Sequence, residues 1–217
     1  MRRPAVRPPG HAPGAPRVSS REVQRAYGLL AERYIEALGS LEHVHPDDLA
    51  FIERHLRPVS GPVLDLGCGP GHLTGFLRTL HPDVTGVDLV PEFLAHARRA
   101  HPAARFELGS MLELDRAAGS VAGVLAWYSL IHFRPEQVDT ALSAVRRVLA
   151  PGATLVVGFF DGPGPEPFAH KVVTAYRWPP DELARRLALA GFVERERMHR
   201  DPEGQARSHG AIAARAV

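Results

Sequence analysis

The stretch Val63 to Leu73, VLDLGCGPGHL, sets three glycines and a proline directly behind a short apolar run. Val63 to Leu66 has the length of a buried strand, and Leu73, Phe76, Leu77 and Leu80 behind the glycines recur at helical spacing. Strand, tight turn and helix in that order commit the chain to a βα unit, and the alternation continues. VTGVDL (84–89) precedes a helix from Pro91 to Ala100; ARFEL (104–108) precedes a loop; VAGVLAW (121–127) precedes a helix from Pro135 to Leu149. ATLVVGFF (153–160) precedes a helix from Asp181 to Ala190, and Pro91 and Pro135 fall where a first helical turn tolerates proline. Strands alternating with helices predict a parallel sheet covered on both faces by right-handed crossovers. FVERERM and ARSHGAIAARAV, joined by the turn-rich HRDPEGQ, read as a closing hairpin. The fold class expected is therefore α/β: a three-layer, doubly wound, mostly parallel seven-stranded sheet with a C-terminal β-hairpin.

Ahead of this lies a capping box, Ser19 to Glu22, opening a helix whose apolar stripe is Val23, Tyr27, Leu30, Tyr34 and Leu38. A second helix is expected over Pro46 to Leu56, with Leu49, Ile52 and Leu56 inward. The first 18 residues are rich in arginine and proline and are expected to be a disordered tail, leaving one domain over 19–217.

Charge and cysteine content narrow the function. Twenty-six basic residues against 24 acidic ones, interspersed along the chain, give no concentrated footprint for nucleic acid. The single cysteine, Cys68, cannot form an internal disulfide or a multi-cysteine zinc site, which fits a reducing cytoplasmic setting. No apolar run approaches the roughly 20 residues of a membrane span, and no signal peptide is apparent. Lys171 is the one lysine among 26 basic residues, a bias that suggests a GC-rich bacterial genome.

In an open sheet of this kind, ligands bind beyond the carboxyl ends of the strands, where strand order reverses. Gly67, Gly69 and Gly71 leave the turn bare, and the helix behind it offers unpaired N–H groups and a positive dipole end to an anion. Asp88 ends the next strand, 21 residues beyond Gly67, where a carboxylate accepts hydrogen bonds from a ribose diol. Together they predict a nucleoside-bearing cofactor. His72 occupies the place of the third glycine of a dinucleotide fingerprint, which weakens a pyrophosphate reading.

The order VLDLGCGPG, GVDL, FELGSM, LAWYSLIHF, LAPGATLVVGFF resembles the class I S-adenosylmethionine-dependent methyltransferases, in particular the small-molecule branch with the ubiquinone and menaquinone methyltransferases. The resemblance covers roughly 24–217. It implies S-adenosyl-L-methionine as cofactor, with Asp65, Gly67, Cys68, Gly69 and Gly71 around its methionine part, Asp88 on the ribose, and Leu89, Ser110 and Met111 about the adenine. It also implies that Ala126 and Trp127 border the methionine chain, and that residues 19–58 form a helical lid presenting Tyr27 and Tyr34. Relatives often carry aspartate where Ser110 stands.

Other readings stay open at several of these positions. Asp65 could satisfy turn amides, Tyr27 and Tyr34 could be core, and Cys68 reads as small packing rather than a nucleophile. His132, just past the fourth strand, is the candidate catalytic base, against the alternative that it orders a loop. Ala126–Ser129 lacks the Asn/Asp-Pro-Pro-aromatic stretch of exocyclic amine methyltransferases, and Ala126 cannot hold the metal of the catechol-type branch, so no metal is expected. The long segment DGPGPEPFAHKVVTAYRWPP reads as a substrate cover. Tyr34, Tyr128, His170, Lys171, Tyr176, Arg177 and Trp178 are the candidate acceptor contacts. The activity expected is methyl transfer to a small organic acceptor at oxygen, with nitrogen or carbon open, by a monomer or homodimer that engages neither nucleic acid nor membrane. The rivals are a nicotinamide-dependent oxidoreductase and a nonenzymatic cofactor-binding module.

Overall fold

The computed structural model describes residues 19–170, 172–201 and 207–217. The expected N-terminal tail, Lys171 and most of the connector between the closing strands lie outside these residues.

The seven strands read from the sequence are present as β1 (Val63–Leu66), β2 (Val84–Asp88), β3 (Arg105–Leu108), β4 (Val121–Trp127), β5 (Leu149–Asp161), β8 (Phe192–Arg200) and β9 (His209–Ala216). The order β3-β2-β1-β4-β5 is parallel throughout; β9 then runs antiparallel between β5 and β8. The segment read as a cover contributes two further short strands. β6 (Pro167–Phe168) and β7 (Ala175–Trp178) form a small antiparallel pair, and β7 joins β5 at Phe160 and Asp161.

Helices α3 (Pro46–Leu56), α4 (His72–Leu80), α5 (Pro91–Ala100), α6 (Pro135–Val148) and α7 (Pro180–Leu189) cover the sheet. On one face α6 buries Val138, Leu142 and Val145 against β4 and β5, with α7 adding Leu183 and Leu187. On the other, Phe51, Ile52 and Leu56 of α3 and Leu73 and Leu77 of α4 pack over β1, β4 and β9. α3 is thus sheet core rather than lid.

The leading stripe differs from expectation. It is two helices, α1 (Ser20–Leu29) and α2 (Ala31–Leu38), broken at Leu30. Gly28, the weakest helix former of the run, lies just before the break. The break shifts the buried face to Tyr27 and Ala31, and Leu38 is left exposed. The Ser19–Glu22 capping box forms as expected. Among the described residues, no helix is long and apolar enough to cross a membrane.

Candidate active site

Chain order reverses between β1 and β4: β2 and β3 lie to one side of β1, while β4 and β5 lie to the other. The carboxyl ends of β1, β2 and β4 therefore meet at one crevice, the position where open α/β sheets bind ligands. An inner cavity of about 130 Å³ lies there, and an outer one of about 570 Å³ adjoins it. Tyr27, Tyr34, Gly67, Gly69, Trp127 and Tyr128 line both.

The glycines of the turn divide their work. At Gly67, φ is +74° and a Cβ would lie 2.4 Å from Cβ of Ser129, so this glycine lets β1 and the end of β4 come together. At Gly69, φ is +54° and a Cβ would meet nothing within 4 Å, so bare backbone faces open space. Gly71 caps α4 and packs beside Ala97 and Phe106, away from both cavities.

Asp88 lines the inner cavity. Its Oδ2 accepts from the Gly69 amide at 2.8 Å and its Oδ1 from the Val90 amide at 2.9 Å. Each carboxylate oxygen keeps a second acceptor position. Burial pushes the Asp88 carboxyl up, and the two amides oppose that shift. The buried Ser129 hydroxyl lines the same cavity and has no hydrogen-bond partner among the described residues. An acceptor pair, an orphaned hydroxyl and a bare turn fit a ligand with a diol at one end and a polar tail at the other.

Asp65 is buried at the lip of the outer cavity. The Thr74 hydroxyl donates to its Oδ2 at 2.6 Å, and burial raises its pKa to about 7. Its partner is thus a helix side chain rather than the turn amides considered from the sequence.

The rest of the expected cofactor set divides. Leu89 and Met111 line the inner cavity, Cys68 the outer one. Burial pushes the Cys68 thiol up, against nucleophilic character. Ser110 does not line either cavity: its hydroxyl accepts from the Leu112 amide. Ala126 is buried in the sheet core.

His132 lies in a short 3₁₀ turn, Leu130–His132, after β4. Its Nδ1 is 3.1 Å from the Thr174 carbonyl and its Nε2 is 2.7 Å from the Tyr27 hydroxyl. A carbonyl only accepts, so Nδ1 carries the proton and Nε2 takes the hydrogen bond donated by Tyr27. Burial lowers the His132 pKa and raises that of Tyr27, with Tyr34 and Asp88 adding to the latter. Both groups are held neutral.

Of the expected acceptor contacts, Tyr34, Tyr128 and His170 line the outer cavity. Tyr176, Arg177 and Trp178 do not, and Trp178 is buried in the main core. Strand alternation in β7 sends Tyr176 into the main core, and Arg177 stacks on Phe168 at 5.2 Å. Further groups line the outer cavity. Arg200 of β8 pairs with buried Asp48 of α3 at 2.9 and 3.0 Å, a contact across 152 residues that no local pattern signals. His209 bonds the Tyr128 hydroxyl, and burial lowers the pKa of both His209 and His72 to about 4. Tyr128 is the one described non-glycine residue with positive φ, at +50°, a strain of the kind that clusters at functional sites. Among the described residues, no group of three or more His, Cys, Asp or Glu side chains is arranged to hold a metal.

Residues 63–152 match the family model described as a methyltransferase domain. The chain is 32% identical to trans-aconitate 2-methyltransferase of Methylobacterium nodulans, over 63% of this chain and 55% of that one. It is 29% identical to malonyl-[acyl-carrier protein] O-methyltransferase of Erwinia billingiae, over 64% of this chain and 53% of that one. It thus spans about half the length of the curated relatives it matches. Among solved structures, 1,6-didemethyltoxoflavin-N1-methyltransferase of Burkholderia thailandensis superposes with a TM-score of 0.73 at 24% identity, covering 94% of this chain and 93% of that one. The match over 63–152, the curated relatives and the shared fold make this chain similar to the class I S-adenosylmethionine-dependent methyltransferases, with a methyltransferase domain at 63–152.

Proposed function

We propose that this protein is an enzyme that transfers the methyl group of S-adenosylmethionine to a small organic acceptor, at oxygen. The observation that carries the reading is the pairing of Asp88, bonded by the turn amide of Gly69, with the open backbone at Gly69 itself. Asp88 would hold the ribose hydroxyls through its remaining acceptor positions, Leu89 and Met111 would flank the adenine, and the Ser129 hydroxyl would take a polar group of the ligand. Asp65 would receive the amino group of the methionine part, which would draw its raised pKa back down. Tyr27 and Tyr34, packed on Phe93 at 5.9 and 5.2 Å, would close α1–α2 over the site as a lid. The lid in this reading is α1–α2 alone, within a single domain over 19–217.

Bound there, the cofactor supplies a sulfonium methyl group with a good leaving group already attached. The protein's task is then to hold an acceptor atom in line and to exclude water, and such positioning can supply roughly 7–11 kcal/mol. The outer cavity, walled by Tyr34, Trp127, Tyr128 and Phe160, would receive a small acceptor with aromatic or apolar surface. The curated relatives include both an O-methyltransferase and an N,N-dimethyltransferase by name, and the structural one is a nitrogen methyltransferase, so oxygen rests on this chain's own groups. A buried tyrosine–histidine pair at the junction of the cavities suits a hydroxyl that must lose a proton. The lone, buried Cys68 fits a cytoplasmic enzyme.

The test is a screen with methyl-labelled cofactor over phenols, carboxylic acids and amines, wild type beside Asp88→Ala. Label is expected in an oxygen acceptor. Removing charge-assisted bonds worth about 1.5–3 kcal/mol each should weaken S-adenosylhomocysteine binding by about 100-fold in the variant. Transfer to amines alone would overturn the oxygen assignment. An unchanged affinity in Asp88→Ala would overturn the site.

A further inference from the structure

We propose that Tyr27 is the group that takes the acceptor's proton, passing its own hydroxyl proton to Nε2 of His132. This rests on the methyl-transfer reading and revises the simpler expectation that His132 meets the acceptor itself.

Three observations carry it. First, the chain of hydrogen bonds has a fixed direction. The Thr174 carbonyl requires Nδ1–H, so the Nε2 lone pair points to the Tyr27 hydroxyl, 2.7 Å away, and is covered by it. Second, placement separates the two partners. Tyr27 lines both cavities, whereas His132 lines only the inner one, so the tyrosine oxygen is the member of the pair that an acceptor in the outer cavity can reach. Third, in the other tyrosine–histidine pair at the junction, Tyr128 with His209, no carbonyl among the described residues bonds the second ring nitrogen to set a direction. One pair is wired as a relay and the other is not.

The step balances. As the acceptor oxygen bonds the methyl carbon, the sulfur–methyl bond breaks and its electron pair stays on sulfur. The acceptor's O–H bond passes its proton to the Tyr27 oxygen, the Tyr27 O–H bond passes its own to Nε2, and His132 ends as an imidazolium. Its Nδ1–H stays on the Thr174 carbonyl. No tyrosinate forms, which suits a hydroxyl whose pKa is pushed up by burial. The titratable groups facing the pair are Tyr34 on α2, Asp88 at the end of β2, and His170, whose ring lies 5.5 Å from that of His132.

The relay is needed only by an acceptor that arrives with its proton. Phenol and 4-nitrophenol, the latter already ionised at slightly alkaline pH, are the probes, with wild type, Tyr27→Phe and His132→Gln. His132→Gln keeps an acceptor for Tyr27 but cannot take up a proton. Both variants should lose about 100-fold more rate with phenol than with 4-nitrophenol. Equal losses on both probes, or none on phenol, would overturn the relay, since a positioning or structural role is blind to acceptor ionisation. A measurement free of turnover stands beside it: ¹⁵N-histidine NMR of the full chain with S-adenosylhomocysteine. The His132 Nε2 should appear unprotonated near neutral pH and shift in Tyr27→Phe; a protonated Nε2 would overturn the proposal. If neither phenol is methylated while S-adenosylhomocysteine binds, these two acceptors are not substrates and the NMR result decides for or against the relay.

Discussion

Gly67 and Gly69 are two positions apart, both at positive φ, and they predict opposite signatures when filled. In Gly67→Ala the new Cβ would meet the Ser129 Cβ at 2.4 Å, on top of the left-handed strain, so a stability loss of about 2–4 kcal/mol is expected in urea unfolding. In Gly69→Ala only the strain applies, about 1–2 kcal/mol. The methyl would stand where the ligand is proposed to lie, so affinity for S-adenosylhomocysteine should fall further than stability does. Equal effects of the two variants on both readouts would contradict this division. Asp65 makes a pH prediction. Its folded pKa of about 7 exceeds the ordinary carboxyl value, so the folded state binds more protons. Stability from this group is then fully present below about pH 4 and is lost as pH rises through 7. Wild-type stability relative to Asp65→Asn should fall over that window, by a few kcal/mol at the order of magnitude, and level off above it; a flat difference would contradict the burial argument. What the sequence told about these residues was their place, not their partners. Asp88 and the glycines are legible because β1, the turn and β2 are local. Tyr27 and His132 are 105 residues apart, so their bond is invisible to any periodicity. Ser110 was misplaced because its hydroxyl is spent locally on Leu112.

At the scale of elements, the helices and strands of the sheet were readable because glycine and proline punctuate runs of clear period. α3 spans the expected Pro46–Leu56 and β4 the expected Val121–Trp127. The break at Leu30 was not, since five apolar residues kept helical spacing straight through it. Nor were β6 and β7, whose few ladder bonds are set by the end of β5 rather than by their own residues. The broken pair α1–α2 is held by a small satellite cluster of Tyr27, Ala31, Val90 and Phe93, apart from the two sheet-face cores. A side-chain hydrogen bond, Tyr27–His132, joins it to the body. So small an attachment predicts low local stability. Amides of α1 and α2 should exchange with deuterium well before those of β1 and β4, and S-adenosylhomocysteine should slow them. Protection equal to the core strands in the free protein would contradict the lid.

The whole molecule follows from one alternation of strand and helix. Winding helices over both faces buries the sheet, and starting the winding from its middle leaves one crevice, at β1 and β4, that the helices cannot cover. The match over residues 63–152 falls on the strands that build this crevice, while the outer cavity draws on α3, β8 and β9, beyond the matched span. That division is the physical reason why family is easier to read than acceptor: the cofactor end is made of consecutive units, the acceptor end of distant ones. The central claim is that the crevice takes a ribose on Asp88 and an amino-acid tail on bare backbone at Gly69. The most direct test is calorimetry of the full chain with S-adenosylhomocysteine and with NADH, side by side. The account predicts saturable, one-to-one binding of S-adenosylhomocysteine and none of NADH at the same concentrations; binding of NADH with no heat from S-adenosylhomocysteine would contradict it.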